Sequence, residues 1–140
     1  MGVMAREVLC WDRREGGRPI RVANVGPAPW VTAALRKEGY DVLEAPDGSR
    51  LVAHLAQAYV EAHVPDRAVD LIVTDMRMPG SDGLDIVELL RATEWRVPVI
   101  VMTAFGDGET RARAHRLGAI LLDKPFKLDF LVQTVRALLR

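Results

Sequence analysis

Short apolar runs alternate with stretches of helical periodicity along most of this chain. Five runs, rich in aliphatic and β-branched side chains and bounded by turn-forming residues, predict β-strands. The predicted strands are Ile20–Val25, Asp41–Glu44, Val69–Thr74, Val97–Met102 and Ala119–Leu122. The intervening and final segments predict helices near residues 28–38, 48–63, 82–93, 107–117 and 127–139.

The last predicted helix has the clearest pattern, because six apolar residues recur on one face. They are Leu128, Leu131, Val132, Val135, Leu138 and Leu139. Phe130 falls off this stripe, so we expect it to be exposed. Gly39 and Gly118 stand where glycines commonly end helices, and Asp82 precedes a predicted helix as a capping residue.

Five alternating strand and helix units indicate an α/β fold with a doubly wound parallel sheet. We expect the flavodoxin-like (βα)5 strand order 2-1-3-4-5, in which functional groups collect beyond the carboxyl ends of the strands. Residues 19–140 form the predicted domain. Residues 1–18 are more polar and predict an N-terminal extension, either a hairpin arm on the first strand or a disordered segment.

Composition narrows the functional classes. Nineteen basic and nineteen acidic residues cancel, which argues against nucleic acid as a direct partner. The single cysteine, Cys10, excludes an internal disulfide framework. No apolar run reaches the roughly 20 residues needed to cross a bilayer, so we expect no membrane contact and a cytoplasmic location.

Three chemically active side chains follow predicted strands. Asp75 follows the buried run Leu71-Ile72-Val73-Thr74, Thr103 follows the fourth strand, and Lys124 lies just beyond the fifth. Because strands 3, 4 and 5 are neighbours in the expected order, these side chains should converge at one edge of the sheet. An aspartate can attack phosphorus to form an acyl phosphate, while a lysine and a hydroxyl neutralise the phosphoryl oxygens.

The motifs that carry these residues resemble those of response regulator receiver domains in two-component signalling. They are Asp75-x-x-Met78-Pro79-x-x-Asp82-Gly83, Val99-Ile100-Val101-Met102-Thr103-Ala104 and Asp123-Lys124-Pro125-Phe126. The resemblance implies that Asp75 is the phosphoacceptor, that Thr103 and Lys124 contact the phosphoryl group, and that Pro125 follows a cis peptide. It also implies that a histidine kinase or phosphotransfer protein is the donor and that a downstream protein is the target.

The chain departs from this family at the end of strand 1. Family members carry acidic residues there that hold Mg²⁺, whereas the matching positions here lie within Asn24–Gly26 and include no carboxylate. Asp75, the Arg77 backbone carbonyl and Asn24 are the remaining candidate ligands, so we expect weak Mg²⁺ binding and a direct Asp75–Lys124 pair. Asp12 and Asp107 could supply a carboxylate, but both are more simply solvated turn residues.

A second departure concerns signal transmission. The family usually has an aromatic residue three positions before the lysine, where this chain has Leu121, so the switch formed with Thr103 is altered.

Helix 4, strand 5 and helix 5 form the output face by resemblance, and a homodimer through this face stays open. The basic run on helix 4 is most simply a solvated face; it comprises Arg111, Arg113, His115 and Arg116. We expect Trp30 to pack on helix 1.

Two functions remain open. The first is a phosphorylatable receiver, and the second is a pseudo-receiver that binds proteins without phosphorylation. An enzyme is disfavoured, because aspartate-based phosphatases need a second aspartate where this chain has Arg77. A flavoprotein would need amide donors after strand 1, where Pro27 and Pro29 have none. A stand-alone regulator, a phosphorelay shuttle and an excised domain are all compatible with the chain.

Overall fold

The structure is a computed structural model that describes residues 20–62, 69–78, 80, 82–93, 96–104 and 106–139, with side chains except at 58–62. The predicted extension at residues 1–18, including Cys10 and Asp12, lies outside the described residues. So does Pro79 of the Asp75 motif.

Five strands and five helices alternate along the described chain. In order they are β1 Arg21–Val25, α1 Pro29–Lys37, β2 Asp41–Ala45, α2 Gly48–Ala62, β3 Leu71–Asp75, α3 Gly83–Ala92, β4 Val99–Thr103, α4 Gly108–Leu117, β5 Ile120–Asp123 and α5 Leu128–Leu138. The strands form one sheet in the order β2-β1-β3-β4-β5, and every pairing is parallel. The predicted fold class and strand order are confirmed.

The predicted strand boundaries differ from the observed ones by one or two residues. β4 begins at Val99 rather than Val97, and the sequence explains the difference. Pro98 has no N–H to donate to the sheet, and the Val97 carbonyl accepts a hydrogen bond from Arg91 Nη1 at 3.0 Å instead. β3 and β4 each extend one residue further than predicted, so both Asp75 and Thr103 are the last residues of their strands.

The sheet separates two buried apolar clusters, one on each face. The first cluster joins strand residues such as Val73 and Met102 to Leu35 of α1 and Leu131 of α5. The second cluster joins the alternate strand residues, including Ile72 and Val101, to side chains of α2, α3 and α4. Strand side chains alternate between these clusters because successive residues of a strand point to opposite faces.

The residues predicted to cap or end helices do so in the structure. Asp82 caps α3, since its Oδ1 accepts a hydrogen bond from the Asp85 amide at 2.7 Å, and Asp85 Oδ2 accepts one from the Asp82 amide at 2.9 Å. This reciprocal pair satisfies two amides that the first turn leaves without helical partners. Gly39 and Gly118 follow α1 and α4 at φ angles of 93° and 70°, where a Cβ atom would be strained. No helix in the described ranges is long and apolar enough to span a membrane.

Candidate functional site

Asp75 and Lys124 meet at the carboxyl edge of the sheet. The Lys124 Nζ atom donates to both carboxylate oxygens of Asp75, at 3.0 Å to Oδ1 and 3.1 Å to Oδ2. The Asp75 side chain is 14% exposed and that of Lys124 is 32% exposed, so the pair is largely shielded from water. The direct pairing is therefore confirmed, as is the cis peptide bond between Lys124 and Pro125.

Thr103 lies between the strands that carry this pair. Asp75 is in register with Met102, so Thr103 is one position beyond it at the end of β4. Thr103 is buried, and its carbonyl accepts a hydrogen bond from the Lys124 amide at 2.8 Å. The three strand ends thus converge, although the roles assigned to the three side chains stay predictions.

The β3–α3 loop is closely packed behind Asp75. The Met76 amide donates to Met102 O at 2.8 Å, and the Gly83 amide donates to Met76 O at 2.9 Å. A Cβ atom added to Gly83 would lie 2.7 Å from the carbonyl oxygen of Asp75. Glycine is therefore required at the end of this motif, because a side chain would collide with the backbone that positions Asp75.

The end of β1 presents no charge to the site. Asn24 is 1% exposed, and its Nδ2 atom donates to Ala28 O at 2.9 Å and to Thr32 Oγ1 at 2.8 Å. Its Oδ1 atom is buried and has no hydrogen-bond partner among the described residues. Gly26 stands beside Asp75 at a φ of 108°, and a Cβ atom added there would lie 3.2 Å from the Asp75 Cβ.

This arrangement does not fit a resident Mg²⁺ ion. Mg²⁺ takes near-octahedral oxygen ligands and usually one or two carboxylates, whereas both oxygens of Asp75 already contact the Lys124 ammonium group. The described residues include no cluster of three His, Cys, Asp or Glu side chains that could hold a metal. Asp107 caps α4 by accepting a hydrogen bond from the Thr110 amide at 2.8 Å, which lowers the pKa of its carboxyl.

The predicted switch position is filled by an aliphatic side chain. Leu121 of β5 pairs with Val101 of β4 and packs, partly buried, against the second cluster. Whether it takes part in switching with Thr103 stays a prediction.

The basic run of α4 is exposed as predicted at Arg111, whereas the side chain of Arg113 is only 25% exposed. Arg113 contacts the carboxylates of Asp82 at 3.3 Å, Asp85 at 2.7 Å and Glu88 at 3.5 Å, and Arg111 contacts Asp123 at 2.7 Å. The sequence contains one indication of the Arg113 contacts. Asp82, Asp85 and Glu88 are spaced three residues apart, and acidic residues with that spacing lie on one face of a helix. His115 and Arg116 are exposed, as expected.

Trp30 and Phe126, which lies two residues beyond Lys124, contact each other and form what we call the apolar rim. Trp30, the second residue of α1, is 44% exposed and lies against Phe126, with ring centroids 5.9 Å apart and planes inclined by 50°. The prediction that Trp30 packs on its helix is thus only half right: one face contacts Phe126 and much of the ring remains on the surface. Phe130 is 54% exposed, which confirms its predicted exposure.

Comparison with known proteins agrees with this geometry. The response regulator receiver domain family model matches residues 29–136. The chain is 32% identical over 133 residues to the probable transcriptional regulatory protein TcrX of Mycobacterium tuberculosis, covering 91% of this chain and 53% of TcrX. It is 36% identical over 107 residues to the transcriptional regulatory protein CpxR of Escherichia coli K12, covering 76% of this chain and 41% of CpxR. The chain thus spans about half or less of the length of these curated relatives.

Solved receiver structures share the fold. The receiver domain of the hybrid histidine kinase CckA superposes with a TM-score of 0.64 at 26% identity, covering 86% of this chain and 99% of that domain. The Vibrio cholerae chemotaxis protein CheY4 superposes with a TM-score of 0.69 at 26% identity, covering 85% of this chain and 98% of CheY4. With its five-stranded parallel sheet and its match over residues 29–136, this chain belongs to the response regulator receiver domain family of two-component systems.

Proposed function

We propose that this receiver domain accepts a phosphoryl group on Asp75 from the phosphohistidine of a histidine kinase or phosphotransfer protein. The observation that carries the proposal is the contact of the Lys124 ammonium group with both oxygens of the Asp75 carboxylate. A short-range positive charge beside a carboxylate at a sheet edge is the arrangement that phosphoryl transfer to aspartate needs.

In the proposed step, one Asp75 oxygen bonds to phosphorus while the bond from phosphorus to the donor imidazole breaks. The electron pair of that bond returns to the imidazole, which takes up a proton, and Asp75 becomes an acyl phosphate. Lys124 then neutralises phosphoryl oxygens instead of the free carboxylate, and the Thr103 hydroxyl donates to another. Breaking the Asp75–Lys124 pair is therefore part of the cost of the reaction.

We expect divalent cations to bind weakly, and no step of the proposed transfer is assigned to one. Receiver domains generally bind Mg²⁺ for phosphorylation. Here the remaining oxygen donors are Asp75, the Arg77 backbone carbonyl and Asn24 Oδ1. A cation approaching Asp75 would also meet the Lys124 ammonium group at short range.

The apolar rim supports a docking site for the donor protein. Exposed aromatic side chains are typical of interface anchors. Trp30 is such a side chain, and it lies against the partly buried Phe126, two residues from Lys124. The face formed by α4, β5 and α5 is the proposed contact for a downstream protein or for a second copy of the chain. Direct nucleic-acid binding, membrane contact and a non-cytoplasmic location are not expected.

A second function, a pseudo-receiver that binds partners without phosphorylation, is favoured by one specific observation. Glycine rather than an acidic residue stands beside Asp75, at Gly26. Such a site would keep the domain in one conformation without phosphoryl transfer.

Reaction with acetyl phosphate distinguishes the two functions. The intact mass of the protein is measured after incubation with and without Mg²⁺, for the wild type, Asp75→Asn and the control Asp107→Asn. The control removes an exposed carboxylate, and asparagine caps helices as well as aspartate. An adduct on the wild type and the control but not on Asp75→Asn supports phosphorylation. No adduct on the wild type at high Mg²⁺ supports the pseudo-receiver.

The role of the rim is tested by Trp30→Ala. Loss of an aromatic anchor weakens the interface by about tenfold or more, so transfer from a phosphorylated donor protein should show a raised KM. Reaction with acetyl phosphate, which needs no docking surface, should be unchanged. Equal slowing with both donors would place Trp30 outside the proposed interface.

A further inference from the structure

Helix α4 has little apolar anchoring. Ala114 is its one buried side chain, and Leu117 is partly buried against the second cluster. Its neighbour α3 buries four larger apolar side chains, namely Leu84, Ile86, Val87 and Leu90. Because apolar burial is the main force that holds an amphipathic helix on a domain, something else must contribute to the docking of α4.

Arg113 supplies one attachment, on the side of α3. Its Nη2 atom lies 2.7 Å from Asp85 Oδ1 and 3.5 Å from Glu88 Oε2, and its Nη1 atom lies 3.3 Å from Asp82 Oδ2. The side chain of Arg113 is 25% exposed, so it is better shielded than an ordinary surface arginine. One guanidinium thus bridges three carboxylates of the neighbouring helix and its cap.

Arg111 supplies a second attachment, on the side of β5, in addition to the hydrogen bond of 2.9 Å that Arg91 Nε of α3 donates to Leu117 O at the end of α4. Residues two positions apart on a helix point about 200° apart, so Arg111 and Arg113 extend from nearly opposite sides of α4. Arg111 Nη2 lies 2.7 Å from Asp123 Oδ1, and its Nε atom donates to Gly106 O at 3.1 Å. This second contact ties α4 to the end of β5 and to its own preceding loop.

We propose that Arg111 and Arg113 form a two-sided electrostatic clasp that holds α4 on the domain, so that weakening the clasp lets α4 open locally. Because Ala114 is its one buried side chain, α4 is the described helix whose detachment loses the least apolar contact. The clasp also joins α4 to both halves of the site. Asp82 belongs to the loop that follows Asp75, and Asp123 directly precedes Lys124.

The electrostatics of Arg113 and Asp85 agree with this half of the clasp. The hydrogen bond from Arg113 lowers the pKa of the Asp85 carboxyl, and the same bond raises the pKa of Arg113. Both shifts mean that the charged forms are stabilised by the contact. The clasp goes beyond the proposed function and does not depend on whether Asp75 is phosphorylated.

Amide hydrogen exchange of the complete chain tests the clasp. Arg113→Gln removes the charge while retaining a good helix former. Arg116→Gln, on the same helix, is the matched control, because the described part of the chain shows no ion pair for Arg116. We expect protection of the α4 amides to fall about fivefold or more in Arg113→Gln, and to change little in Arg116→Gln. Protection of the α5 amides should be preserved in both variants.

The dependence of α4 amide protection on ionic strength provides a second test. Raising ionic strength from about 0.1 M to about 1 M shortens the Debye length from about 10 Å to about 3 Å, so α4 protection in the wild type should fall. In Arg113→Gln, this salt dependence should be smaller. Equal effects of the two substitutions, or a loss of protection spread evenly over α3, α4 and α5, would overturn the proposal.

Discussion

Gly83 and Gly108 form a natural pair for testing the packing behind Asp75. Each is the first residue of a helix, α3 or α4, and each follows an aspartate that caps the helix. Their surroundings differ: a Cβ atom on Gly83 would lie 2.7 Å from Asp75 O, whereas one on Gly108 would have no neighbour within 4 Å. Alanine at the two positions should therefore have opposite effects on stability.

The magnitude follows from two opposing contributions. Replacing glycine by alanine stabilises a protein by about 0.4–1 kcal/mol where the backbone accepts it, because the unfolded chain loses freedom. Overpacking costs about 1–3 kcal/mol, and at Gly83 the atom in the way is a backbone oxygen that cannot rotate aside. Gly108→Ala should thus stabilise the protein slightly. Gly83→Ala should be less stable than Gly108→Ala by about 1–3 kcal/mol, the size of the overpacking cost.

Urea unfolding measures both variants. With m unchanged, the difference in midpoint reports the difference in the free energy of unfolding. Gly83→Ala should also react more slowly with acetyl phosphate if Asp75 is the phosphoacceptor, since the displaced backbone carries that residue. If the two variants unfold at the same urea concentration, the close approach of Gly83 to Asp75 does not constrain the fold and the reasoning is wrong.

Two further predictions concern charge. The hydrogen bond from Arg113 lowers the pKa of Asp85, so the charged carboxylate stabilises the folded state above the ordinary aspartate pKa of about 4, and this stabilisation is lost as pH falls through the lower folded value. Arg113→Gln should therefore make the urea midpoint fall less steeply below about pH 4; an unchanged slope would contradict the assignment. Lys124→Met leaves the shielded Asp75 carboxylate without its cation and should cost about 1–3 kcal/mol in urea unfolding. Lys127→Met, at an exposed lysine, is the control, and equal losses would refute a stabilising pair.

The sequence predicted the fold and the central pair because both depend on regular patterns. Apolar runs and helical periodicity determined the element order, and the parallel topology then brought the ends of β3 and β5 together. Asp75 and Lys124 are 49 residues apart in the chain, yet their strand-end positions, together with the lack of acidic residues at the end of strand 1, were enough to predict their contact. Capping residues such as Asp82 were also predictable, since a cap acts on its own helix.

The partners of surface groups could not be predicted in the same way. Arg113 reaches Asp85 across 28 residues, and that contact depends on how α4 is rotated against α3, which the local pattern of charges does not specify. The extent to which Trp30 is buried was predicted wrongly for a related reason. An aromatic ring near a helix start is compatible with burial, and only the position of Phe126 shows how much of the ring is covered.

The division of the interior by the sheet has a thermodynamic consequence. Leu131 of α5 and Leu84 of α3 lie in different clusters, separated by the strands, so truncating one creates a cavity that does not border the other. Substitutions at distant sites without shared neighbours usually have additive effects, within about 0.3–0.5 kcal/mol. Each side of this molecule can accordingly be redesigned as an independent unit, with the backbone of the strands as the partition between them.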